Sequence, residues 1–149
     1  MAPPIRATIY ELDAPWERFA PGTAPPAPSH PQITDLVPGV RFLGYDWKRH
    51  DPYLWELTCY WTALGPLGED YRVKLQFLRA GQSLRNDDHF IADGRHPFPE
   101  WQPGEVVRES RLVYLGPSAT PGAIEARLEL VRWGIGPAEH NSVTLRLGP

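Results

Sequence analysis

The chain has 149 residues, 42% hydrophobic and 22% charged, with a formal net charge of −3. One domain of this length buries roughly 68–70% of its unfolded surface, so folding requires no metal or disulfide. The 15 Lys and Arg scattered among 18 acids argue against a nucleic-acid surface, and the single cysteine, Cys59, excludes an internal disulfide or a Cys-rich zinc site. No apolar run reaches the length of a membrane span. The opening MAPPIRATIYEL has neither the basic nor the apolar region of a secretory signal.

In chain order, residues 5–12 (IRATIYEL) read as a first strand with Ile5, Ala7 and Ile9 on one face. Residues 14–38 then hold seven Pro among 25 positions. Pro lacks the N–H and fixes φ, so this stretch is expected to form neither ladder nor helix. It reads as an extended connector over the surface, docked through Trp16 and Phe19.

From Val40 onward the period is two. LWELTCYW places Trp55, Leu57, Cys59 and Trp61 on one face. YRVKLQFL sets Tyr71, Val73, Leu75 and Phe77 inward, with Arg72, Lys74 and Gln76 outward. AIEARLELVRW and VTLRL repeat the pattern, and VRFLGYDW and VVRESRLVY complete the set. RHDP, LGPLGED, RAGQ, GPSATPG and GIGPAEHN supply turns between them. Half-buried strands without a helical period predict an all-β chain: an antiparallel β-sandwich, jelly-roll or immunoglobulin-like, of seven or eight strands. The organisation is an N-terminal strand (1–13), a Pro-rich connector (14–38) and the sandwich (39–149), one domain in all.

Four stretches in this order carry a family resemblance: VRFLGYDW (40–47), CYWTALGPLGEDYRVKLQFL (59–78), WQPGEVVRE (101–109) and ATPGAIEARLEL (119–130). Together, over about residues 40–133, they resemble the extramembrane C-terminal β-sandwich of bacterial protein-mannosyltransferase-like membrane glycosyltransferases, which use lipid-linked sugar donors. TIYEL ahead of the Pro-rich stretch resembles the chain leaving the last membrane helix of those enzymes. The resemblance implies an accessory domain on the periplasmic or extracellular face, contacting a neighbouring membrane domain or another protein. It does not imply the catalyst: the membrane helices and acidic loop residues of the transferases are absent, and RHPFPE replaces the family's loop before the Trp.

Other chemistry is thin. Asp87, Asp88 and Asp93, with His89 and His96, form the densest polar cluster, and loop carboxylates suit a structural calcium. Their spacing matches no EF-hand or zinc pattern, so a solvated loop is the plainer reading and no cofactor is expected. Ser83, Ser110, Ser118 and Ser142 sit in no nucleophile elbow, and Cys59 falls on an apolar strand face. Glu56, Glu109 and Glu129 are expected to face outward and solubilise the sheet. GIGPAEH lacks the third Gly of a dinucleotide loop and reads as a hairpin or loop. Trp61, Trp101, Pro103 and Gly104 are expected to be structural, Trp101 plugging the open end while Pro103-Gly104 turns the chain.

The aromatics remain. Trp16, Tyr45, Trp47, Tyr53 and Tyr60 are the candidates for contact with a protein partner or with a glycan, whose sugar faces stack on exposed rings. The expected function is a non-catalytic interaction module, with carbohydrate binding as the alternative and an acid-bearing enzyme a distant third.

Overall fold

Strict alternation becomes two antiparallel sheets in a computed structural model that describes residues 15–115, 123–132 and 141–148. The described strands are β1 (Trp16–Phe19), β2 (His30–Val37), β3 (Val40–Arg49), β4 (Leu54–Ala63), β5 (Tyr71–Arg79), β6 (Gln82–Asn86), β7 (Val106–Tyr114), β8 (Ile124–Arg132) and β9 (Ser142–Gly148). One sheet runs β1-β7-β4-β3-β2 and the other β6-β5-β8-β9. Nine described strands exceed the expected seven or eight because the Pro-rich stretch contributes two and QSLRN, after the RAGQ turn, adds β6. The expected strand at residues 5–12, Ser118, Trp133 and the GIGPAEH loop lie outside the described residues.

The core lies between the sheets, where the alternating apolar positions meet. Val73, Leu75 and Phe77 of β5 pair in register with Leu130, Leu128 and Ala126 of β8, and all are buried. Leu145 of β9 extends this face, Trp61, Phe42 and Leu57 fill the space opposite, and each fully buried side chain of this size contributes about 1.5–3 kcal/mol.

The ladder-free connector expected at 14–38 is corrected here. β1 (WERF) contains no Pro and pairs with Val106, Val107, Arg108 and Glu109 of β7. β2 tolerates Pro31 because it is an edge strand whose register slips between Pro31 and Thr34. Between them, residues 20–29 carry most of the Pro and bring the chain from one edge of the five-stranded sheet to the other. Gly44 accommodates the end of this strap. Its φ is +146°, and a Cβ there would lie 2.4 Å from the His30 carbonyl oxygen and 2.8 Å from Pro28.

Substituting Val73, Leu75 or Phe77 by Ala is expected to cost about 2–5 kcal/mol in urea melts, because each leaves a cavity between the sheets. Lys74→Ala, one position out of phase, should stay within about ±0.5 kcal/mol. Equal losses at both kinds of position would contradict this register.

Candidate functional site

The connection between β6 and β7, residues 87–105, binds the open side of the sandwich through two buried glutamates. β7 presents Val107, Glu109, Arg111 and Val113 to the interior, so two charges stand where the pattern elsewhere is apolar. Glu109 Oε1 lies 2.7 Å from His89 Nε2, and Oε2 accepts the Ala92 N–H at 2.7 Å. Arg111 donates through Nε and Nη2 to both Asp87 carboxylate oxygens, at 2.7 and 2.8 Å. The backbone continues the sheet alongside these contacts: Asp87 N–H donates to Leu75 O, and His89 and Val73 exchange a bond pair.

The second glutamate, Glu105, is 1% exposed. Its Oε2 receives Arg18 Nε at 2.8 Å and His96 Nε2 at 3.0 Å, while Oε1 accepts the Gln102 N–H at 2.6 Å. Trp16 and Trp101 stack on either side of the His96 ring pairing, with centroids 6.0 and 5.8 Å away. Trp101 is buried, donates Nε1–H to His96 O at 2.9 Å, and stacks on Phe98. Gly104, at φ +84°, completes the turn after Pro103 and donates its N–H to Ala63 O. The two clasps are separated by Ala92, Asp93 and Gly94, all at positive φ. Two of these are not glycine, and holding them there costs about 1–2 kcal/mol each.

Several expectations are corrected by this geometry. Asp87, Asp88 and Asp93 form no ligand set: Asp87 and the 82%-exposed Asp93 both turn to Arg111, at 2.7 and 3.8 Å, and Asp88 accepts the Leu75 N–H. No metal-ligand cluster occurs among the described residues. Glu109 points inward rather than to solvent, because its parity is that of Val107 and Val113. Glu56 is half-buried against His50 at 2.8 Å, and Glu129 meets Arg127 at 3.2 Å. Cys59 is buried. Burial pushes its thiol well above the ordinary range, and the Glu109 and Asp46 charges add to this, so it is no nucleophile. Ser110 is spent on Thr58 at 2.7 Å, while Ser83 and Ser142 are exposed.

The aromatic candidates separate as well. Tyr45 and Tyr60 are buried, not available for contact. Tyr45 crosses the interior to donate its hydroxyl to Arg146 O of β9 at 2.6 Å. Tyr60 lies on the outer face, where it donates to Asp46, which also receives the Ser29 N–H and hydroxyl. Trp47 is half-buried and stacked 4.7 Å from Trp55, and Trp16 is half-buried against His96. Trp61 is buried edge-on to Phe42. Tyr53 alone of the five is open to solvent, at 43%, and Tyr114, which sequence reading did not single out, is 52% exposed beside it. Their ring centroids are 6.2 Å apart. Arg85 Nη1 donates to Tyr114 O at 3.2 Å, and Arg49 lies over Trp55 at 5.0 Å. This tyrosine pair, at the sandwich end away from Trp101, is the candidate contact surface.

The comparisons add little beyond the architecture. No protein-family model matches the chain, and no curated protein does. Among solved structures, the crystal structure of the yeast GGA1_GAE domain-P21 is similar over 79% of this chain and 99% of that chain. Identity is 11% and the TM-score 0.30, a likeness that carries no argument about function. The class is set by the chain's own two sheets: an antiparallel β-sandwich. No helix among the described residues is long and apolar enough to cross a membrane.

Acid should loosen the second clasp. Burial opposes ionisation of Glu105, but hydrogen bonds from Arg18, the Gln102 N–H and His96 outweigh it and hold the carboxyl below the usual range. Asp87 is lowered likewise, with burial again overcome by Arg111. The unfolded chain therefore binds protons at higher pH than the folded one, and the stability from these groups disappears as pH falls through their folded values. Urea midpoints should decline between about pH 5 and pH 3, starting lower but falling less steeply for Arg18→Gln. Parallel profiles for the two proteins would count against this account.

Proposed function

We propose that this chain is a non-catalytic β-sandwich module that works by contact with a protein partner, through the end bearing Tyr53 and Tyr114. The observation carrying this reading is the exposed tyrosine pair with Arg49 and Arg85 beside it. Tyrosine and arginine are among the side chains in which interface energy concentrates, because they offer area and hydrogen bonding at modest entropic cost. The reading is further supported by where the reactive side chains are spent. His89, His96, Glu105 and Glu109 serve internal bonds between the sheet and the 87–105 segment.

The finer reading names the partner class. The four motifs at residues 40–130 support a neighbouring membrane domain of a protein-mannosyltransferase-like glycosyltransferase, with this module on the periplasmic or extracellular face. A glycan is the second reading, favoured by the open Tyr53 ring and weakened by the burial of Tyr45 and Tyr60.

A photo-crosslinking amino acid at position 53 or 114, introduced in the native cell, tests both. A multi-spanning glycosyltransferase is the expected principal adduct, lost on Tyr53→Ser with Tyr114→Ser while the melting temperature holds within a few degrees. Adducts to no protein, together with saturable binding of one oligosaccharide that Tyr53→Ala abolishes, would replace protein contact with glycan recognition.

A further inference from the structure

Between β6 and β7 the two clasps share one design and differ in one component. Each pairs a buried glutamate with a histidine Nε2 and a backbone N–H from the connecting segment. The Glu105 clasp adds the Arg18 guanidinium, a permanent cation. The Glu109 clasp has no guanidinium bonded to its carboxylate: Arg111 acts on Glu109 by charge but spends its N–H donors on both Asp87 oxygens.

His89 sits between two acceptors. Nδ1 is 2.9 Å from Asp87 O, and Nε2 is 2.7 Å from Glu109 Oε1. A neutral imidazole has one donor and leaves the other nitrogen's lone pair facing an oxygen; against an ionised Glu109, the imidazolium satisfies both acceptors. The local charges agree. Asp87 and Glu109 share the guanidinium of Arg111, which also lies 3.8 Å from the exposed Asp93, and Arg85 adds charge near Asp87 from the rim; His89 is the cation-forming side chain bonded to Glu109 itself. The remaining inner neighbours carry none: Cys59 of β4 is a neutral thiol, and Val73, Leu75 and Leu128 are apolar. Arg85, Asp88 and Asp93 lie on the exposed rim.

We propose that His89 is a buried imidazolium that latches residues 87–92 onto β7, and that losing its proton opens this half of the segment while the Arg18-held half stays closed. Deprotonation leaves a buried carboxylate without its cation and an acceptor against an acceptor, both unfavourable away from water. Opening hinges at Ala92–Gly94, where Ala92 and Asp93 are freed from their left-handed conformations once Glu109 releases the Ala92 N–H. It uncovers the edge of β5 at Val73 and Leu75, whose backbone groups the segment now occupies. The latch is therefore closed while His89 holds its proton and released when that proton is lost, opposite in sign to the acid loss at Glu105.

Hydrogen exchange on the full chain tests this between about pH 6 and pH 9, with rates corrected for intrinsic base catalysis. Protection at Asp87, His89 and Ala92 is expected to fall at least about tenfold, a free-energy change of about 1.4 kcal/mol, while Gln102 and Gly104 keep theirs. Unchanged protection, or equal loss at both ends, would overturn the latch. Glu109→Gln should abolish the pH dependence, because one carboxylate then faces one guanidinium. Should that variant not fold, ring ¹⁵N shifts of His89 in the unaltered protein at pH 6 decide: two protonated nitrogens uphold the proposal, and a single neutral tautomer sinks it.

Discussion

A carboxylate placed between two sheets has to be answered from within the chain, and Glu109 makes that demand on everything around it. Its position on β7 is dictated by parity with Val107 and Val113, so it cannot turn outward without turning the core outward too. The requirement explains why the connection from β6 to β7 is long and irregular. It must lay His89 and the Ala92 N–H against one acid, then His96 and the Gln102 N–H against the other. The left-handed run at residues 92–94 follows, because a regular strand could not present both groups to the same face. Trp101 closes the same side by covering His96 and tying its indole N–H to the backbone there.

The opposite side of the sandwich is joined by lighter means. Strand ladders satisfy the backbone within each sheet but leave edge carbonyls exposed. On β9 these are claimed from the other sheet, Arg146 O by the Tyr45 hydroxyl and Thr144 O by Gln32. Asn141 donates from both its backbone and side-chain nitrogens to carbonyls of β2. Burying Tyr45 therefore does more than fill space: its polar tip blunts an edge that would otherwise invite another strand. At β2 the same protection comes from Pro31 and a broken register.

Much of the fold was legible in the sequence because packing acts on every second residue. β5, β8 and β9 alternate without exception, and their buried positions are those the pattern names. The reading weakens where a strand breaks its own period. In VVRESRLVY, two charges occupy inward positions, and nothing local explains them. Their partners lie 20 and 24 residues away, in a loop whose path no periodicity encodes. Tyr60 misleads in the other sense. Its parity is outward, yet Asp46 and Ser29 take it out of solvent, a consequence of the Pro-rich strap reaching Gly44. Pro content likewise concealed β1 and β2, since composition averaged over 25 residues cannot reveal that four consecutive ones are free of Pro.

These constraints narrow where the molecule can act. Glu105, Glu109, His89 and His96 lie inside, where they tie the 87–105 segment to the sheets. The edges of β2 and β9 are already blunted, and the Trp101 end is filled by aromatic packing. Ile33 on β2 and Leu64 after β4 are exposed singly, whereas at the far end, where β3 turns into β4 and β7 runs out, two exposed rings stand together. There the chain leaves two tyrosines open beside arginines, although a sheet of this kind could cover them with one more buried turn. Contact with a partner is proposed at this boundary, the one where two exposed aromatic rings stand side by side among the described residues.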